Sequence, residues 1–184
     1  DPKVQLSIVS QFDKKPSFIM LDTMNFWMDH TLDNLMKIIS KVDLICINDE
    51  EVIQLSGCSN HDLGIKKILT MGPKYIIMKK GEFGATLYSD ESEFFCPSFK
   101  IEKVIDPTGA GDSFAGAFAG HLANSKNYSF SSLADALVYA NAVASFCVEK
   151  FGTERLIELS QQDVENRLQE FIDLVQFDIS LIRN

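Results

Sequence analysis

Apolar residues fall along this chain in short runs that alternate with helical stripes. Ser17 to Asp22 is mostly apolar and reads as a buried strand, clearest at Phe18 to Leu21, that ends in the polar Asp22-Thr23-Met24-Asn25. Leu32, Leu35, Ile38 and Ile39 then recur three or four residues apart, which predicts a helix over Thr31 to Lys41. Val42 to Ile47 is the second strand, and Asn48 with Glu51 three residues on forms a capping-box helix start. A helix over His61 to Met71 leads to a third strand, Lys74 to Lys79, which runs into Lys80-Gly81-Glu82-Phe83-Gly84. The two glycines mark a tight turn, and Ala85 to Ser89 is the returning strand of a hairpin. Glu93 to Cys96 and Lys100 to Ile105 are short extended pieces. Leu133 to Phe151 is a long, alanine-rich helix with Gly152 as its C-cap. Gln161 to Val175 is amphipathic, with Leu168, Phe171, Ile172 and Val175 predicted inward. This alternation predicts one α/β domain over residues 1–184, with a doubly wound, mostly parallel sheet, helices on both faces and a site at the strands' carboxyl ends.

The stretch from Ile105 to Phe114 combines an extended approach, a turn and a helix start. Pro107 pushes Asp106 toward extended backbone, while Gly109 and Gly111 let main-chain amides come close to another molecule. Phe114, Phe118 and Leu122 share one helical face; Gly116 and Gly120 form a second, flat face suited to lying on a sheet. The first turn offers unpaired N–H groups and the positive end of the helix dipole, a site for a phosphate. Asp112 stands beside it. Its carboxylate suits the work of taking a proton from a hydroxyl that attacks a phosphoryl group, and equally suits charging the first helical turn.

Asp106-Pro107-Thr108-Gly109-Ala110-Gly111-Asp112 resembles the C-terminal signature of the ribokinase-like carbohydrate kinases, the PfkB family, in its D-T-x-G-A-G-D form, with Pro107 ahead of Thr108. The resemblance implies a three-layer α/β/α sandwich. It also implies transfer of phosphate from ATP to the hydroxyl of a sugar or nucleoside, Asp112 as base, and an anion hole from the amides of Gly109, Ala110 and Gly111. Asn48-x-x-Glu51 is similar to the family's N-x-x-E motif, which implies Mg2+ held through water beside the phosphates. Asp106 and Thr108 lie where many members hold a monovalent cation such as K+, with carbonyls supplied near Gly152. Family likeness also puts Lys80, Gly81 and Gly84 at the edge of the ATP site and Asn141 and Ala144 at the adenine pocket, where the bare reading gives a turn and close helix packing. Asp22 and Asn25 follow a strand end where the family often has an acid and an amide near the phosphates, although Asn25 is one place late; both also suit a turn. Trp27 reads as packing, and Lys79 either adds charge to the nucleotide edge or is solvated. The family's glycine-rich sugar-binding segment and β lid, which usually makes the homodimer, are not read here, and the first glycine is Gly57. The chain therefore corresponds to the C-terminal part of the fold, with most of the acceptor pocket outside it.

Composition narrows the alternatives. A net charge of -9 over 184 residues argues against a general nucleic-acid binder, so any phosphate site must be local. Cys46, Cys58, Cys96 and Cys147 form no C-x-x-C pair, and three lie in apolar runs, as expected of free thiols in a reducing cytoplasm. No signal peptide or bilayer-spanning run is read. Gly111-Asp112-Ser113-Phe114-Ala115 nearly matches a serine-hydrolase elbow, but its second glycine is Ala115 and the one later histidine, His121, is on the same predicted helix. Walker A is absent, so a P-loop enzyme is not indicated. A catalytically incomplete nucleotide-binding fragment is the remaining rival.

Overall fold

The apolar runs Leu44-Ile45-Cys46-Ile47 and Tyr75-Ile76-Ile77-Met78 have to be covered on both faces, and the sheet supplies that environment. The computed structural model describes residues 1–176. Parallel strands β1 (Met20–Asp22), β2 (Leu44–Asn48) and β3 (Tyr75–Lys79) are followed by an antiparallel hairpin of β4 (Ala85–Tyr88) and β5 (Glu93–Cys96). The spatial order is β1-β2-β3-β4-β5, so β4 alone opposes the other strands.

One face is covered by α1 (Pro2–Val9), α2 (Asn25–His30), α3 (Leu32–Ile39), α4 (Asp49–Ser56) and α5 (His61–Leu69). There Leu35, Ile38, Val52, Ile65 and Ile68 pack on Ile45, Ile47, Ile76 and Met78. The other face carries α6 (Ala110–Ser125), α7 (Phe130–Cys147) and α9 (Gln161–Val175), with the single-turn α8 (Glu154–Ile157) between the last two. Phe114, Phe118, Leu122, Leu133, Leu137 and Phe171 pack on Leu44, Cys46, Ile77 and Leu87. Three layers result, as the resemblance implies. Winding differs from the expectation: strand order never reverses, and the second helical layer comes entirely from the segment after the hairpin.

Several local predictions need correction. Helices α1 and α2 went unread; α1 starts from an Asp1 cap and Pro2 at its first position, but Val4 and Ile8 are exposed and leave no clear stripe. Residues 100–105 form no strand. Gly116 and Gly120 face away from the sheet into open space, because Phe114, Phe118 and Leu122 take the inward side. Helix α7 stops at Cys147 rather than Phe151, since the Val148 carbonyl accepts N–H groups from Ile105 and Asp106 at 2.8 and 3.4 Å. It is also, at 18 residues, long and apolar enough to cross a bilayer by length and composition, contrary to the sequence reading, but more than half of it is buried within the fold. In α9 the inward face is turned toward Val164, Arg167 and Phe171, leaving Ile172 49% and Val175 44% exposed. Arg167 sets that rotation: its guanidinium lies 3.7 Å from the Phe146 ring centroid and donates to Ser145 Oγ at 2.8 Å and Glu149 Oε1 at 2.6 Å.

Candidate active site

The three parallel strands end side by side in Asp22, Asn48 and Lys79, with Asn48 directly opposite Lys79 in the register. Across these ends lies the first turn of α6. Gly109 makes the turn possible by adopting φ +83°, and its carbonyl accepts the Ser113 N–H at 2.8 Å. The Ala110 N–H bonds the Pro107 carbonyl at 3.2 Å, whereas those of Gly111 and Asp112 find no acceptor among the described residues. The loop is pinned from below by Asp106, whose Oδ1 accepts the Thr108 N–H at 3.0 Å and Oδ2 the Gly152 N–H at 3.2 Å. These donors, the Thr108 amide first, hold the Asp106 carboxyl below its ordinary range.

Two cavities flank this turn. A small one, about 310 Å3, is lined by Asp22, Thr23, Met24, Trp27, Lys79, Gly109, Gly111 and Asp112. The Lys79 ammonium meets Asp22 there, 3.0 Å from each carboxylate oxygen. A larger one, about 660 Å3, opens on the other side of the turn between Gly81, Phe99, Ile101, Ala110, Asn141 and Ala144. Of the residues predicted for a nucleotide site, Gly81, Ala110, Asn141 and Ala144 come together in the larger cavity, and Gly109, Gly111, Asp112 and Asp22 in the smaller.

Others lie elsewhere. Asn25 begins α2 and lines neither cavity. The Lys80 ammonium lies 5.8 Å over the Phe95 ring, and Gly84 shapes the hairpin. Thr108 serves through its backbone, its carbonyl accepting the Cys147 thiol at 3.6 Å. Asn141 lines the large cavity, but its amide already donates to the Pro97 carbonyl at 2.6 Å and to Cys96 Sγ at 3.2 Å. Ser113 Oγ donates to the Gly109 carbonyl at 2.8 Å, and His121 stacks near Tyr139, so no hydrolase triad forms. Cys46, Cys96 and Cys147 are buried free thiols, as expected; burial pushes Cys46 up to about 12.

The predicted capping box is present: Asn48 Oδ1 accepts the Glu51 N–H at 2.7 Å, and Glu51 Oε2 accepts the Asn48 N–H at 3.0 Å. Glu51 is only 3% exposed, and burial raises its carboxyl above the ordinary 4.5 despite the Asn48 amide and Lys79. A raised native value favours the protonated form. That contribution to stability is full below 4.5 and is lost as pH rises through the native value. Glu51→Gln keeps an acceptor for the Asn48 amide without the charge. It is expected to raise the urea midpoint at pH 7 and to flatten the pH dependence above 4.5; an unaltered slope would sink this account.

Residues 6–159 match the pfkB family carbohydrate kinases, and the chain belongs to that family. It is 30% identical over 131 residues to a ribokinase of Staphylococcus aureus, covering 68% of this chain and 41% of that protein. A cytidine kinase of Thermococcus kodakarensis is 32% identical over 87 residues, covering 47% of this chain and 31% of its own. The fold is ribokinase-like. A protein taken for ribokinase II in E. coli, solved with ATP and Mg2+, superposes with a TM-score of 0.67 at 28% identity, over 81% of this chain and 47% of that one. The chain thus spans less than half the length of these relatives.

Lys79 is the site residue that sequence reasoning left undecided. Its signal was position: the last residue of an apolar strand, beside the strand that ends in Asn48.

Proposed function

We propose that this chain is the nucleotide-binding and catalytic part of a kinase that moves the γ-phosphoryl group of ATP to a hydroxyl of a sugar or nucleoside. One observation carries the reading: the Asp112 carboxylate, Gly109 and Gly111 share one cavity at a helix N-terminus with two unpaired amides, and a larger cavity opens behind the same turn. In the step itself the acceptor oxygen bonds to the γ-phosphorus, the bond to the β–γ bridging oxygen breaks, and ADP leaves with that electron pair. Asp112 takes the acceptor's proton, and the Gly109 to Gly111 loop stabilises the charge on the transferring group. The larger cavity receives the base between Ala110, Asn141 and Ala144, with Gly81 at its edge.

The amide of Asn48 and the carboxyl of Glu51, paired at the end of β2, are the oxygen donors that suit Mg2+ bound mainly by water and phosphate. Glu51 and Asn48 would hold Mg2+ through water, the ion's charge favouring the Glu51 carboxylate over the acid form that burial favours, and the ion would neutralise phosphate charge. K+ would rest on Asp106 with the Thr108 and Gly152 carbonyls, which already converge on Cys147 Sγ at 3.6 and 3.7 Å. Both a ribokinase and a cytidine kinase stand among the relatives, so the acceptor is a sugar or, as the alternative, a nucleoside.

Calorimetric titration of the full-length protein with a non-hydrolysable ATP analogue, with and without Mg2+, tests this reading alongside a sugar and nucleoside panel. Binding is expected to depend on Mg2+ and to disappear in Gly111→Val, whose side chain would enter the space beside Lys79. Absence of nucleotide binding in the intact protein would overturn it. Repeated on this chain alone, the panel tests for an incomplete fragment, which would bind nucleotide and no acceptor.

A further inference from the structure

One cation beside the turn has no task in the step above. Lys79 keeps only 22% of its side chain exposed, at the end of β3, and its ammonium lies 3.7 Å from the point where a Cβ on Gly111 would stand. Placing a lysine so deep costs free energy unless charged or polar partners compensate. Asp22 is such a partner, at 3.0 Å. Burial alone would lower the lysine, but the net shift is upward, and the Asp22 carboxylate, which both attracts the ammonium and accepts its hydrogen bonds, is the charged partner that favours its protonated form. A simple ion pair at a sheet end leaves the surroundings unexplained. Thr23 lines the same small cavity, and its buried hydroxyl has no hydrogen-bond partner among the described residues. The Gly111 and Asp112 amides also lack acceptors among the described residues. Donors from the end of β3 and the first turn of α6 therefore meet at one small space, lined also by Thr23, in which Asp22 and Asp112 are the lining carboxylates. A group rich in acceptor oxygens and negative charge satisfies all of them at once.

We propose that Lys79 is a catalytic residue whose ammonium donates to the oxygens of the phosphoryl group in transfer, and that Asp22 is the positioning residue that holds it there. This inference rests on the phosphotransfer reading. Lys79 gives up no proton in the step: the bonds formed and broken stay as above, and the acceptor's proton still goes to Asp112. The lysine adds fixed positive charge where charge on the transferring group is spread, the most effective place for it in a reaction that depends on positioning and electrostatics.

The test uses the full-length protein and Lys79→Met, which keeps the stem and removes the charge. Turnover is expected to fall by about 10²–10³-fold. Affinity for a non-hydrolysable ATP analogue should fall about tenfold while ADP affinity stays within about threefold, a split that a purely structural role would not produce. Lys79→Arg should keep the preference for the ATP analogue over ADP. If Lys79→Met does not fold, Asp22→Asn decides instead: it leaves the ammonium but removes its holder, and should lower turnover about tenfold with ADP affinity unaltered. Turnover within about threefold of wild type in a folded Lys79→Met, or in Asp22→Asn if only that variant folds, overturns the assignment while leaving the kinase reading intact. A wild-type protein that binds no ATP analogue and phosphorylates no sugar or nucleoside removes both.

Discussion

Asp112→Asn is expected to lower turnover of the full-length protein by about 10²–10⁴-fold, the usual worth of a positioned general base. The variant keeps the shape and hydrogen-bonding reach of the side chain but does not take up the acceptor's proton. Asp112 is exposed in the first turn of α6 and lines the small cavity. Folding and nucleotide affinity should therefore change little. The competing role, a charge that complements the helix dipole, predicts the reverse pattern: about 0.3–1 kcal/mol of stability lost and turnover nearly kept. Steady-state kinetics and urea unfolding on the same preparation separate the two, and near-normal turnover would remove Asp112 from the chemistry.

Gly84→Ala should be among the most damaging substitutions for stability, costing about 4 kcal/mol. Gly84 sits at φ +97°, ψ −148°, a region that side chains other than hydrogen rarely occupy. An added Cβ would collide with the Cys96 carbonyl oxygen and stand 2.7 Å from Pro97 C and Ser98 N. All of these are backbone atoms at or just past the end of β5, and Ser98 lines the larger cavity, so relief would require parting the hairpin. Gly81, three residues earlier, is the internal comparison: it has φ +54° and open space around it. Gly81→Ala should cost only about 1 kcal/mol, the strain of the left-handed backbone alone. Equal losses for the two variants in urea unfolding would show that the hairpin yields and that the contact argument is wrong.

Most of the layer architecture was legible because it rests on local signals. The apolar runs ending at Ile47 and Lys79 could only be buried strands, and Asn48 with Glu51 marked a helix start that the structure reproduces bond for bond. The last helix was placed at Gln161 to Val175, yet its buried face was misjudged, because an arginine sandwiched between aromatic rings does not look like a core residue in a hydrophobicity pattern. Gly116 and Gly120 misled in the opposite sense: small residues permit close packing without showing that anything packs there. Lys79 stays undecided in the sequence, and Thr23 without a role, for another reason. Their meaning depends on Asp22 and Gly111, which are distant in sequence and adjacent only once the sheet and α6 are assembled.

The anchoring of Arg167 also has a bearing on the order of events during synthesis. Phe99 and Ser145 line the larger cavity, and Arg167 stacks on Phe99, with the guanidinium 4.6 Å from its ring centroid, and bonds Ser145. The sheet and its first helical layer can assemble from residues that emerge early, whereas this clamp is among the last parts of the described chain to leave the ribosome. The cavity wall is thus finished after the scaffold that bears it, and nascent chains that end short of α9 would carry the strands and the anion loop with an unbraced pocket.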